Sequence, residues 1–537
     1  MEDQTCLEQQ TSPAMMLHAM VSRLRVSLIA LQQRNGRNGF LLLCAIVVTL
    51  SSSAHYLLTM MKWTAPGFAL DDSWIHLNYA RTIYDGIPFE YSPGYPSTGS
   101  TSPLWSLILS ALFLVTYDPS AIVVGTLAIA TSFYCATSLL VGLIVYEHTR
   151  RTLFASLSIL TYVLVPKNTW LMLSGMETPL FMTTVLLGLL LLHKNEPKYD
   201  IPLGVVLGLA YLSRPEGVLL MVLFPLRVIA VFKTRQLSTR RLVTLLAIPF
   251  LALAVAAPWI LHCLHVTGLP LPDTVYAKAH VVMPAEYELW ASWWLFWFCT
   301  MPFLILGFIS GPALVIKGRP HVWLYAILLF ILYALTTPFH ALINNSRYLV
   351  PIFTLMMVSA VIALTLAVGR LWKHAAYNRE RDAVVVAMTV LLLIVPILPE
   401  YSFQADLYGN SVKNINEQQV HIGYWLKDNT PADAVLAIHD AGALRFISGR
   451  SVIDLAGLVS PDILHGNMTD DQKIRYLRDH GCDYFVFFDE LFQYWAYRLE
   501  GGYEKLYTVH LTDNVISGRD TMSVWHIDWD LTAYRGT

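Results

Sequence analysis

The run Ser102-Pro103-Leu104-Trp105-Ser106-Leu107-Ile108-Leu109-Ser110-Ala111-Leu112-Phe113-Leu114-Val115-Thr116-Tyr117 decides how this chain is threaded. It is apolar but short of the roughly 20 residues a helix needs to cross a bilayer. Eleven other apolar runs read as membrane spans: 38–60, 120–146, 152–169, 178–193, 200–213, 216–233, 242–266, 291–316, 321–341, 348–369 and 382–398. If 102–117 also crossed, every later segment would change sides. Without it, the N-terminus lies inside, the C-terminus outside, and 18 Lys and Arg fall in inside segments against 6 in outside loops. Counting it as a crossing would place the basic loop 233–241 outside, against the tendency of Lys and Arg to remain cytoplasmic. The run therefore reads as a helix lying in the outer interface.

The composition agrees with a polytopic α-helical membrane protein. Of 537 residues, 55% are hydrophobic and only 14% charged, where a soluble domain averages about 25% charged. A net charge of −2 excludes bulk electrostatic binding of nucleic acid. The six cysteines show no metal or disulfide spacing. Charge is unevenly divided: residues 399–537 carry 11 basic and 20 acidic side chains, whereas the preceding 398 carry 25 and 18. The expected organisation is a cytoplasmic tail over 1–37, a transmembrane body over 38–398 with a first outer loop at 61–119, and a small extracytoplasmic α/β domain over 399–537. The last reading rests on strand signals at 434–438, 451–455 and 483–488 that alternate with helical ones. About 37 residues precede the first apolar run, so no cleavable leader is expected.

Chemistry-bearing residues collect in the outer loops. After Ala69-Leu70, the adjacent Asp71-Asp72 open a helical pattern that Gly86 ends. Asn78, Arg81, Thr82 and Asp85 form a polar stripe opposite Ile75, Tyr79, Ala80, Ile83 and Tyr84. One carboxylate suffices to cap a helix, so the second is a candidate general base or cation ligand. Glu177, Arg214, Glu216, Asp273, Tyr276, Lys278 and Arg347-Tyr348 also lie beside membrane ends. Singly, such residues are commonly snorkelling or helix-end groups. Together they set carboxylates and scarce cations at one depth. Fixed cations suit a departing phosphate oxyanion, and carboxylates suit sugar hydroxyls and an attacking alcohol. His439-Asp440, next to a strand end, is a lesser candidate to line the site from above.

The ordered motifs Asp71-Asp72, Tyr91-Ser92-Pro93-Gly94, Thr98-Gly99-Ser100-Thr101-Ser102-Pro103-Leu104-Trp105, Ser174-Gly175-Met176-Glu177-Thr178-Pro179, Ser213-Arg214-Pro215-Glu216-Gly217, Pro272-Asp273-Thr274 with Tyr276-Ala277-Lys278, and Ser346-Arg347-Tyr348 resemble the GT-C glycosyltransferases. The likeness spans roughly 38–490 and extends to His439–Leu444 and Asp454–Leu458. It is greatest to the branch containing the terminal β-(1→2)-arabinofuranosyltransferase. The resemblance implies a polyprenyl-phosphate sugar donor, a periplasmic glycan or glycolipid acceptor, and an acid of the first loop as base, within a bacterial inner (plasma) membrane.

On this reading Asp71 takes the acceptor proton, while Asp72 orients it or binds a divalent cation. Arg347, Lys278 and Arg214, with Tyr276, hold the phosphate. Glu177, Glu216 and Asp273, with His439 and Asp440, meet sugar or acceptor, or pair with the cations. A lipid or glycan transporter and a non-catalytic assembly factor of the cell envelope are the alternatives. A transporter predicts ionisable residues at mid-membrane, but Arg227 and His262, the main polar residues in the spans, fall near span ends.

Overall fold

A computed structural model of the chain describes residues 13–233, 238–278, 282–371, 378–499 and 501–532, with side-chain placement described for these except 13–35, 240 and 369–381. Among the described residues, six helices are long and apolar enough to cross a membrane: Gly36–Met60, Pro119–Thr149, Pro215–Lys233, Arg241–Thr267, Val350–Val368 and Asp382–Asn429. Two bent pairs raise this to eight, Pro284–Thr300 with Pro302–Ile309 at 104° and His321–Thr336 with Pro338–Ser346 at 110°. In each pair a proline opens the second piece, where it removes a backbone donor and breaks the ladder.

Eleven crossings were expected from the apolar runs, and three of those runs form shorter helices. Thr152–Leu164, Thr178–His193 and Asp200–Ser213 have 13, 16 and 14 residues. At 1.5 Å per residue they reach only about 20–24 Å. Prolines end two of them. Val165 precedes Pro166 and Arg214 precedes Pro215, and a residue before proline is pushed out of the helical region. The run 102–117 folds as a helix over Pro103–Ser110 with a 3₁₀ turn to Leu114, again too short to span. At Pro399 the chain changes polarity but not conformation, for helical backbone continues to Asn429. Pro399 sits in the first turn of Leu398–Ile415, where a missing N–H costs nothing.

Beyond Asn429 the chain builds a five-stranded mixed sheet. Its strands are β3 (Val435–Ile438), β4 (Ser451–Asp454), β5 (Cys482–Phe488), β6 (Tyr503–His510) and β7 (Thr521–Ile527), in the order β4-β3-β5-β7-β6. The two earlier strands, β1 (Glu90–Ser92) and β2 (Tyr95–Pro96), form a separate hairpin in the first loop. β3 runs parallel to both β4 and β5, with helical crossovers, and β7 closes antiparallel on β5 and β6. Central β5 reads Cys-Asp-Tyr-Phe-Val-Phe-Phe and is covered on both faces, as its nearly unbroken apolar run demands. The helix Asp470–Asp479 begins at a capping box between Thr469 and Gln472.

This sheet does not stand apart from the first loop. Ile75, Tyr79 and Tyr91 pack into one core with Leu436, Ile438, Leu444 and Val486. Trp74 and Leu77 join a second core with Tyr56, Trp170, Phe446 and Ile447. The helix Asp72–Tyr84 is thus enclosed between the helical body and the α/β layer. The polar stripe expected on it is accordingly split, with Arg81 and Asp85 accessible at one end and the rest covered by protein. Asn78 and Thr82 are buried, and Asn78 Nδ2 donates to the carbonyls of Trp74 and Gly442 and to Tyr91 Oη. Periodicity marks a polar face without saying whether water or protein covers it.

Candidate active site

Three backbone irregularities deliver cations to one small cavity. The first is the extended residue Arg214 before Pro215. The second is a left-handed turn in which Asn344, Asn345 and Ser346 have φ of 52°, 58° and 57°, immediately before Arg347. Each such residue costs about 1–2 kcal/mol unless its surroundings hold it. Here Lys167 Nζ donates to the Asn345 carbonyl at 3.1 Å and also to its side-chain oxygen. Asn345 Nδ2 donates in turn to Gln404 Oε1. The third is the short helix Asp273–Lys278 after Pro272, which carries Lys278.

The cavity, about 30 Å³, is lined by Asp72, His76, Glu177, Arg214, Lys278, Arg347 and Tyr348, with Gly99, Thr101, Thr274 and Leu458 closing it. Arg347 Nη2 donates to Asp72 Oδ2 at 2.6 Å, while Arg347 Nε and Nη1, both buried, have no hydrogen-bond partner among the described residues. Asp72 lies deep, yet 35% of its side chain is accessible because it faces this cavity. The nearby Arg347 and Lys278 outweigh its desolvation and hold its carboxyl below the usual range. Lys278 Nζ donates to Tyr348 Oη at 3.0 Å, and the guanidinium of Arg214 lies 4.7 Å from the Tyr348 ring centre.

Arg214 is otherwise engaged. Its Nη1 donates to Glu177 Oε1, and its Nε and Nη2 donate to the two oxygens of Glu216. Tyr333 Oη donates to Glu216 Oε1 at 2.9 Å. Burial opposes the charge on Arg214, but Glu216 and Glu177 outweigh it and lift its pKa further, and Arg347 and Lys278 line the same cavity. Burial works against the charge on Glu177, but Arg214 and the hydrogen bond with His76 more than offset it and keep the group ionised. His76 Nε2 lies 3.0 Å from Glu177 Oε2. The sequence reading passed over His76, although it sits four residues after Asp72 on the same helix, the spacing of neighbours on one face.

The other expected site residues lie elsewhere. Asp71 does not line the cavity. Its Oδ2 accepts from the backbone N–H of Gly442 and its Oδ1 from that of Ala443, both at 2.8 Å, which ties the first loop to the turn after β3. Desolvation, then Asp440, raise its pKa to about 8 despite those two donors. Asp273 is fully buried and meets His465 Nε2 at 2.9 Å, and Tyr276 packs its ring against the same His465. Asp440 accepts from Gln419, and His439 is largely exposed beside it. The adjacent acids Asp71 and Asp72 thus diverge to different partners. No group of three or more His, Cys, Asp or Glu placed to hold a metal occurs among the described residues.

Asp454 was noticed only as part of a motif. Its carboxylate gathers the N–H groups of Ala456, Leu458 and Val459 and so shapes the loop that presses on Gly99. Burial raises it to about 6 against those three donors.

Solved structures place this architecture. ArnT from Cupriavidus metallidurans bound to undecaprenyl phosphate superposes with a TM-score of 0.54 at 13% identity, covering 91% of this chain and 98% of that one. This chain shares that fold. The archaeal oligosaccharyltransferase AglB from Archaeoglobus fulgidus, in complex with an inhibitory peptide and a dolichol-phosphate, gives 0.54 at 13% identity over 91% of this chain and 75% of its own. Residues 413–525 match a family model described as a domain of unknown function, DUF8728. No curated protein matches. The six long apolar helices, eight with the bent pairs, are by length and composition those of a multi-pass membrane protein.

Proposed function

We propose that the protein is a membrane glycosyltransferase that moves a sugar from a polyprenyl-phosphate donor to a glycan or glycolipid hydroxyl. The observation that carries this reading is the Arg347 guanidinium, pinned on one side by Asp72 and with two buried N–H groups that have no partner among the described residues. A phosphate presents the acceptor oxygens and the charge that such a fork requires. That ArnT and AglB of the same fold have been solved with polyprenyl phosphates supports the same donor class.

In the proposed reaction, donor phosphate draws the Arg347 guanidinium away from Asp72. The freed carboxylate then accepts the proton of the acceptor hydroxyl. The new C–O bond forms at the anomeric carbon as its bond to the phosphate oxygen breaks, and Arg347 and Lys278 stabilise the departing polyprenyl phosphate. Asp72 is the base in this scheme, and Asp71 is a positioning residue that docks the loop on the α/β layer. Arg214, with Glu177 and Glu216, forms the wall. The reading places the N-terminus in the cytoplasm and the sheet with the first loop in the periplasm of an inner membrane. The likeness to the arabinofuranosyltransferase branch makes arabinofuranose the first donor to try.

The test is turnover of a polyprenyl-phosphate sugar in proteoliposomes. Arg347→Ala is expected to lower kcat/KM by about 10²–10³, and Asp72→Asn to lower kcat with donor binding kept. Unchanged turnover in Arg347→Ala would overturn the phosphate role.

A further inference from the structure

We propose that His76 reads the sugar of the lipid donor, its Nδ1 accepting a hydrogen bond from a sugar hydroxyl next to the phosphate; this rests on the donor reading above and deepens it. Glu177 is bound to Arg214 and, as a carboxylate, can only accept. Its 3.0 Å contact with His76 Nε2 therefore fixes the ring proton on that nitrogen. In the neutral ring Nδ1 is then a lone pair. That atom is buried and has no hydrogen-bond partner among the described residues.

The surroundings say what could supply the missing bond. The His76 side chain is 3% exposed and lines the same cavity as Asp72, Arg347 and Lys278. A phosphate oxygen cannot meet a lone pair, because both are acceptors. The partner must bring an O–H or N–H, and in a phosphate-linked sugar the hydroxyls nearest the anomeric carbon are the donors at that distance from the phosphate. Arg347 and His76 thus divide recognition between them, the cation taking the phosphate and the imidazole the sugar. A site built to pair with a hydroxyl rejects a ligand lacking it, because the buried nitrogen is then left unsatisfied.

The full-length protein in nanodiscs, titrated with a decaprenyl-phosphate pentose and with bare decaprenyl phosphate, separates the two contributions. The wild type is expected to hold the sugar-bearing lipid about tenfold or more tighter than the bare one. In His76→Gln the amide still reaches Glu177 but no acceptor replaces Nδ1. Its affinity for the sugar-bearing lipid is expected to fall about tenfold, with that for bare decaprenyl phosphate changed less than about twofold. His76→Asn, whose amide oxygen stands near the Nδ1 position, should retain part of the preference. Equal losses for both lipids in His76→Gln, no loss for either, or a wild type without preference would overturn the role of His76. A wild type that binds neither lipid would overturn the donor site as a whole, and His76 with it.

Discussion

Replacing Gly442 by Ala tests whether the first loop and the α/β layer form one functional unit. A Cβ at Gly442 would collide with the Asp71 carbonyl oxygen and stand 2.7 Å from its Oδ2 and 2.8 Å from its Cγ. Ordinary contact needs about 3.4 Å, so the carboxylate must give by roughly 0.7 Å and the closer carbonyl by more. That movement stretches the two 2.8 Å bonds from Gly442 and Ala443 to Asp71 towards the edge of bonding. Two backbone bonds at about 1 kcal/mol each, with an overpacking cost at the low end of about 1–3 kcal/mol, give roughly 3 kcal/mol of lost docking. This is about a hundredfold in the docking equilibrium. Hydrogen exchange of the amides in Asp72–Tyr84 reads it directly. They should exchange about a hundredfold faster in the variant, while those of Val350–Leu371 stay protected. Protection of Asp72–Tyr84 within about threefold of wild type would refute the docking argument.

Further outcomes follow from other buried groups. Asp200 is fully buried and bonds Arg227 at 2.9 and 2.6 Å and Arg241 at 2.6 Å. Asp200→Ala strands both guanidiniums and should cost about 3–5 kcal/mol, read as a lowered midpoint of thermal unfolding in detergent; an unchanged midpoint would mean water reaches the arginines. Because the Asp71 pKa is raised from 3.8 to about 8 in the folded protein, the folded form holds that proton more tightly than the unfolded chain. Its stabilising contribution is therefore complete below about pH 4 and is lost as pH rises through about 8. The melting temperature of wild type relative to Asp71→Asn should fall over that window and level off above it, whereas a constant difference would show that Asp71 is not so shifted. Gly99→Ala, whose Cβ would meet the Leu458 carbonyl and stand 2.8 Å from Tyr79 Oη, should loosen the loop at 455–459 and raise its protease sensitivity. Equal cleavage of both proteins would contradict that.

Much of the local chemistry is legible along the chain. Apolar runs mark where helices stand, the prolines at 166, 215, 302 and 338 mark where they stop or turn, and the continuous apolar β5 marks a strand covered on both sides. The sequence also singled out Asp72, Lys278 and Arg347, which meet in one cavity although some 275 residues separate the first from the last. Only the tertiary structure decided which acid of the Asp71-Asp72 pair faces that cavity. One residue step along a helix turns a side chain by about 100°, so neighbours in sequence face different neighbours in space. It also decided that Arg214 is neutralised, that Asn78 and Thr82 of the first-loop helix are buried against protein, and that His76 belongs to the site. Apart from the neighbouring Arg214–Glu216 pair, each of these depends on contacts between segments 37 to 371 residues apart. Composition and periodicity record what a segment can bury, and only packing settles what it is buried against.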